Sequence, residues 1–306
     1  MIEKKNILNI DRQKVREAFD AYVKNYNMED EKIRLKAEHT YRVAELCERI
    51  AVSLELEQAD VDLAWLLGIL HDIGRFEQVK RYGTFMDGQS VNHAEFGAEL
   101  LFEQGLIEKF ITDIAWNRKR NVMDENLQDM SKGALTKSDA EMDRIYKELN
   151  LMKNAIAWHS AYRLPENLDE RTKMFCDILR DADKVDILRV NVEFSFEDIY
   201  NVPLEVLKKC EVTEEVMQAV YEKHAVFRDW RKSPIDYLVG HICLVYEMVY
   251  PEAVRAVVSQ GYLDKLLNFQ SENEKTKGQF KEIRKEMNRY LLNVIGENGL
   301  GKERCQ

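Results

Sequence analysis

Three helical stripes of this chain each carry a histidine or an aspartate where an apolar side chain belongs. Between Ile33 and Leu54 the run His39, Val43, Leu46, Ile50, Leu54 repeats at three and four residues, the period of one helix face. A second stripe, Ile145, Leu149, Met152, Ile156, reaches His159 at its next step. A third, Cys176, Leu179, Ile187, Val190, has Asp183 in its middle. The apolar run ending at Leu70 is followed directly by His71 and Asp72, and His93 opens another helical segment after Asn92. A carboxylate tolerates burial only when it is paired, hydrogen-bonded or bound to a metal. Histidines and aspartates projecting inward from several helices are how a helical core builds a metal site, so these helices are expected to meet around one or two ions.

The rest of the chain agrees with helix nearly throughout. Only 4 prolines and 13 glycines occur in 306 residues, and charged residues are plentiful. Helices are expected at about 11–27, 31–54, 60–72, from 93 past Leu101, at 140–160 and at 169–191. Further helices are expected at 213–230, 234–250 and 251–269, with a charged helical tail from about 275 that frays at Gly296, Gly299 and Gly301. Gly74 reads as a C-terminal cap, and Arg75 to Val91, with Gly83 and Gly88, as a loop. Asn92 reads as an N-cap with Glu95 as its partner, and Gly97 as a point of close helix approach. Asn117 to Asp139 lacks a sustained period and reads as an irregular insertion or lid.

The expected architecture is all-α: residues 1–30 form a helix packed on the core, 31–200 the metal-binding domain, and 201–306 a C-terminal helical lobe. A net charge of −10 argues against an extended nucleic-acid surface, although a few local cations or an ion can still bind a small anion. The five cysteines form no CxxC pair, which fits a reducing compartment. No apolar leader and no membrane-spanning stretch is read, so a cytoplasmic protein is expected.

Taken in order, His39, His71-Asp72 and Asp183 resemble the H…HD…D signature of the HD superfamily of metal-dependent hydrolases, over roughly residues 31–200. The segment Asp181-Ala182-Asp183-Lys184-Val185-Asp186 looks like the one that carries that family's final aspartate. His93 and His159 complete the H…HD…H…H…D pattern of its bimetallic members. The resemblance implies a first ion on His39, His71, Asp72 and Asp183, and a second on Asp72, His93 and His159, the metals being Fe, Mn, Co, Ni or Mg. Its activity would be hydrolysis of a nucleotide or other small phosphoester by a metal-bound hydroxide, with Asp72 orienting the nucleophile.

Arg75 and Lys184 are the expected cations for developing charge, and Arg163 a third substrate contact. An HD-type di-iron oxygenase with the same ligands is the alternative, and a nucleotide-binding regulatory module the second alternative. The oligomeric state is left open. Ser160 stands where cyclic-dinucleotide hydrolases of the family carry a second histidine, and Ile73-Gly74-Arg75-Phe76 replaces the acidic pair of the alarmone hydrolases. Both of those activities are disfavoured. Asp177 and Asp181 are expected to be exposed, Asp186 to be a solvated or capping carboxylate, His224 an ordinary core or surface residue, and His241 structural.

Overall fold

The computed structural model describes residues 8–111, 137–200 and 202–296. Among the described residues every regular element is helical and none is a strand, so the fold is all-α. The chain divides into two compact units, Met1–Leu179 and Arg180–Gln306. The expected lid at 117–139 and the cation run Arg118-Lys119-Arg120 lie largely outside the described residues, as does the tail after Gly296.

In the first unit, α1 (Arg12–Val23) starts at Asp11, whose carboxylate accepts from the amides of Gln13 and Lys14. Its apolar face, Val15, Phe19 and Val23, is buried, and Arg12 ties it to Glu48 and Asp62 at 2.8 and 2.7 Å. Helix α2 (Glu31–Ser53) is amphipathic, capped by Asp30, and buries His39 with Val43, Leu46, Cys47 and Ile50. Helix α3 (Gln58–Leu70) is apolar around most of its circumference and wholly buried from Leu63 to Leu70. These two helices are packed backbone to backbone. A Cβ on Gly68 would fall 2.4 Å from Ala44 Cα, closer than any side chain allows.

Beyond His71-Asp72 the chain turns at once into α4 (Ile73–Tyr82), which ends at Gly83 in the left-handed region. The expected loop therefore starts about eight residues later than the glycines suggest. Ile73, Phe76 and the buried Gln78 supply the inner face of α4, and burial of that face outweighs the nearby glycines. Gly74 is no cap. It lies in the first turn of α4, where a Cβ would meet the His93 carbonyl at 2.4 Å and Gly97 N at 2.7 Å. Gly74 and Gly97 together let α4 touch α5 (His93–Ala98), as expected for Gly97.

Asn92 caps α5 by accepting from Ala94 and Glu95 amides, and a π-helical turn, Glu99–Glu103, comes next. Helix α6 (Lys137–Trp158) buries Leu149, Met152, Ala155 and Ile156 and delivers His159 just past its last turn. Helix α7 (Glu170–Glu193) begins in this unit, where Arg171 joins Asp60 of α3 to Glu148 of α6.

The second unit contains the later part of α7 and α8 (Phe196–Tyr200), α9 (Leu204–Leu207), α10 (Glu214–Glu222), α11 (Pro234–Cys243), α12 (Pro251–Gln260), α13 (Tyr262–Leu267) and α14 (Glu274–Ile295). The helices expected at 213–230, 234–250 and 251–269 are shorter than the periodicity predicts, while the charged helix α14 runs up to Gly296 as expected. Lys223 adopts φ 59° and ends α10, and Gly261 at φ 69° separates α12 from α13.

The aspartates expected in solvent are buried instead. Asp181 accepts from the amides of Val249 and Tyr250, each at 2.8 Å. Asp186 takes two hydrogen bonds from the buried Arg189 guanidinium. In the first unit Asp177 is buried against Lys173. All three satisfy the pairing rule for buried carboxylates: Asp177 and Asp186 with a cation three or four residues away on the same helix, and Asp181 with backbone amides distant in sequence. His241 is structural in the expected sense: its Nδ1 meets Tyr200 Oη at 3.0 Å, and burial pushes its pKa down to about 3.

Candidate metal centre

The break between α3 and α4 builds the site. His71 still has helical angles, but Asp72 stands at φ −101°, ψ 16°, outside the helix on either side. Adjacent residues on a continuous helix diverge by about 100°. Here the interruption lets both side chains face one centre. Close packing at Gly68 brings His39 of α2 to within 3.4 Å of His71, measured between their Nε2 atoms. From the other side, the α4–α5 glycine contact brings in His93, and the end of α6 brings in His159.

Two groups of three result, and they share Asp72. Oδ2 of Asp72 lies 3.7 Å from His39 Nε2 and 3.5 Å from His71 Nε2. Oδ1 lies 3.4 Å from His93 Nε2 and 3.7 Å from His159 Nε2. The Nε2 atoms of His93 and His159 are 3.1 Å apart. Donors bonded to one ion at about 2.1 Å stand about 3.0–3.4 Å from one another, so both groups have nearly the spacing that a shared ion imposes. All five side chains are buried.

Tautomers make the fit stronger. His71 Nδ1 donates to the Gly68 carbonyl and His159 Nδ1 to the Ile156 carbonyl, both at 2.7 Å. His93 Nδ1 donates to Asp87 Oδ2, also at 2.7 Å. Carbonyls and carboxylates only accept, so the proton of each ring is spent on Nδ1 and a lone pair points inward from Nε2. Two imidazole lone pairs facing each other at 3.1 Å in a buried site repel unless a cation lies among them. That donor chemistry fits a divalent ion, and outward Nδ1–H bonds are how ligating histidines are oriented.

Electrostatics point the same way. Burial pushes His93 down to about 4, with the Asp87 carboxylate opposing, so the ring is neutral at pH 7 and able to ligate. Burial alone would raise the Asp72 pKa, but Lys36 and then His71 more than offset it and hold the carboxyl well below the usual range.

Of the other candidates that the sequence offers, Asp183 lies half-buried on α7 within the second unit, and its ligand role rests on the sequence pattern. Lys184 is buried in that unit, 3.8 Å from Asp181 Oδ1 and donating to the Glu247 carbonyl at 3.4 Å. Arg163 is exposed on one side, its guanidinium over the Tyr162 ring.

Arg75 is anchored by Nη1 to Asp87, Gln78 and the Phe85 carbonyl, while its buried Nε–H has no hydrogen-bond partner and lies 3.7 Å from Asp72 Oδ1. Sequence reasoning misses Lys36, Asp87, Gln78 and Gly68. Lys36 precedes His39 by three residues and therefore shares its face, which is a usable signal. Asp87 and Gln78 carry no periodic signal, because their roles arise from the fold of the 83–92 loop.

Comparison with curated proteins and with solved structures gives no match. Residues 37–188 match the family model described as the HD domain. The five clustered histidine and aspartate side chains fall within that span in the family's order, and residues 37–188 of this chain are an HD domain.

Proposed function

We propose that this protein is a two-metal phosphohydrolase acting on a nucleotide or another small phosphoester. The observation that carries the reading is the division of Asp72: one oxygen serves His39 and His71, the other His93 and His159. A first ion would be held by His39, His71 and Asp72 Oδ2, and a second by Asp72 Oδ1, His93 and His159. Such a pair supplies Lewis acidity for a phosphoryl group and a hydroxide nucleophile at neutral pH.

The protein's own groups do the rest. Asp72 fixes the spacing of the centre. Asp87, Gly68 and Ile156 lock the rings of His93, His71 and His159 with their lone pairs inward. The unpartnered Nε–H of Arg75, on the Oδ1 side, is a fixed donor for charge developing on the phosphoryl oxygens. Burial of the donors keeps bulk water from screening these interactions.

A second reading, a di-iron oxygenase, is favoured by one feature, the nitrogen-rich donor set of four imidazoles around a single shared carboxylate. Protein purified under inert gas and assayed with Mn²⁺, Co²⁺ or Fe²⁺ on a nucleotide and phosphoester panel separates the two. Phosphate or nucleoside phosphate release supports the hydrolase. Iron-dependent oxygen consumption with no phosphoester turned over moves the assignment to the oxygenase. Tight nucleotide binding without turnover moves it to a regulatory module.

A further inference from the structure

Lys36 lies one turn before His39 on α2, and its ammonium donates to Asp72 Oδ2 at 2.7 Å. That is the same oxygen that faces His39 and His71. The side chain of Lys36 is 21% exposed, against 3% for Asp72, so its stem runs from the solvent edge of the centre to its interior. In this arrangement the ammonium is the positive charge at the first triad. An ammonium has three N–H donors and no lone pair, so it cannot share a coordination sphere as a ligand. It and a divalent ion compete for one oxygen, and two cations within a few ångströms in a poorly screened site repel strongly. Lysine has a flexible four-carbon stem, so the head group can swing while its base stays in place on the helix. The anion that then lies within reach at the rim is whatever the ions hold.

We propose that Lys36 compensates Asp72 in the ion-free protein and, once the ions enter, becomes a contact for the anionic oxygens of the substrate. The substrate half of this assignment rests on the phosphohydrolase reading. The two halves are read by different titrations, both with the full chain. Mn²⁺ binding is measured by calorimetry on metal-free protein, and inorganic phosphate binding on Mn²⁺-loaded protein, for wild type, Lys36→Met and Lys36→Arg.

Lys36→Met removes the competitor, so the first Mn²⁺ should bind about threefold tighter or more, with unchanged stoichiometry. Phosphate should bind about tenfold weaker to the same variant, a charge-assisted contact having been lost, and Lys36→Arg should recover most of that affinity. Lys36→Gln serves for both titrations if the methionine variant melts early. Mn²⁺ affinity that is unchanged or weaker, or phosphate affinity indifferent to residue 36, overturns the proposal. If phosphate binding depends on Lys36 but no phosphoester is hydrolysed by the wild type, the hydrolase reading fails, and Lys36 stands as a contact for a bound anion and not for a substrate. If phosphoesters are hydrolysed and both titrations ignore Lys36, the reverse holds.

Discussion

The two halves of the metal centre share one aspartate and are built in opposite ways. His39 and His71 come from long helices packed backbone to backbone at Gly68, and the carbonyl of that same glycine orients His71. His93 and His159 come from helix ends. His93 is the first residue of the six-residue helix α5, held by Asp87 from a loop, and His159 comes directly after the last residue of α6. The first triad is therefore rigid because the core is rigid. The second is rigid only as long as the 83–92 loop keeps Asp87, Arg75 and Gln78 tied together. Loops open locally more readily than packed helices, so if the proposed pair of ions is bound, the second should be the more exchangeable.

The largest effect expected is on the residue that both halves need. Asp72→Ala should leave protein with neither ion after gentle purification, and with no hydrolysis, read by metal analysis and the phosphoester panel. Retention of one ion at full occupancy would show that the halves do not share Asp72.

Asp87→Ala should discriminate between the halves. Losing the carboxylate behind His93 should weaken the second ion by about 10–100-fold, the usual cost of removing a partner that orients a ligand, and leave the first ion in place. Equal loss of both would erase the distinction between a core-built and a loop-built triad.

Gly68→Ala is the matching probe of the first half. Its Cβ would meet the Ala44 backbone, which cannot yield as a flexible side chain does, so about 1–3 kcal/mol of stability should be lost in denaturant melts. First-ion occupancy should fall more than second-ion occupancy. An unchanged midpoint would mean that α2 and α3 can separate freely, and that the rigid half is not rigid.

The smallest effect is a pH dependence of the ion-free protein. His93 is held down to about 4 from 6.5, chiefly by burial. The unfolded chain takes up that proton near pH 6.5 and the folded protein only near 4. The stability gained by keeping the ring neutral is thus complete above pH 6.5 and lost as pH falls toward about 4. His93→Gln should flatten the slope of stability against pH across that window, measured by urea melts. An identical slope in the variant would assign the dependence elsewhere, for instance to His241.

The same contrast explains which parts of the centre are legible in the sequence. His39 and His159 stand out because their helices are long and amphipathic, so a polar residue on the apolar face is conspicuous. The convergence of His71 and Asp72 is legible as a helix end, although the next element is a second helix and not a loop. Gly74 is easily misplaced because a glycine after an apolar helix looks like a cap, and only the α4–α5 contact shows that it is a spacer. Lys36 can be found on the face of His39, but a lysine at the edge of a helix stripe ordinarily serves the solvent. Asp87 cannot, since nothing in a glycine-containing loop announces which carboxylate will reach a ring six residues away. Buried Asp181 looks solvated in the sequence because its partners are two backbone amides far along the chain, and Asp186 because an acidic residue with an arginine one turn on ordinarily marks a solvated helix face.

The division of Asp72 between two ions is tested most directly by a crystal structure of Mn²⁺-loaded protein with anomalous data. Two peaks about 3.5–4 Å apart, the separation of two-metal hydrolytic centres, should flank the Asp72 carboxylate, one beside His39 and His71 and the other beside His93 and His159. A single peak on either side of Asp72, or two peaks that leave one of the four histidines without a metal, would contradict it.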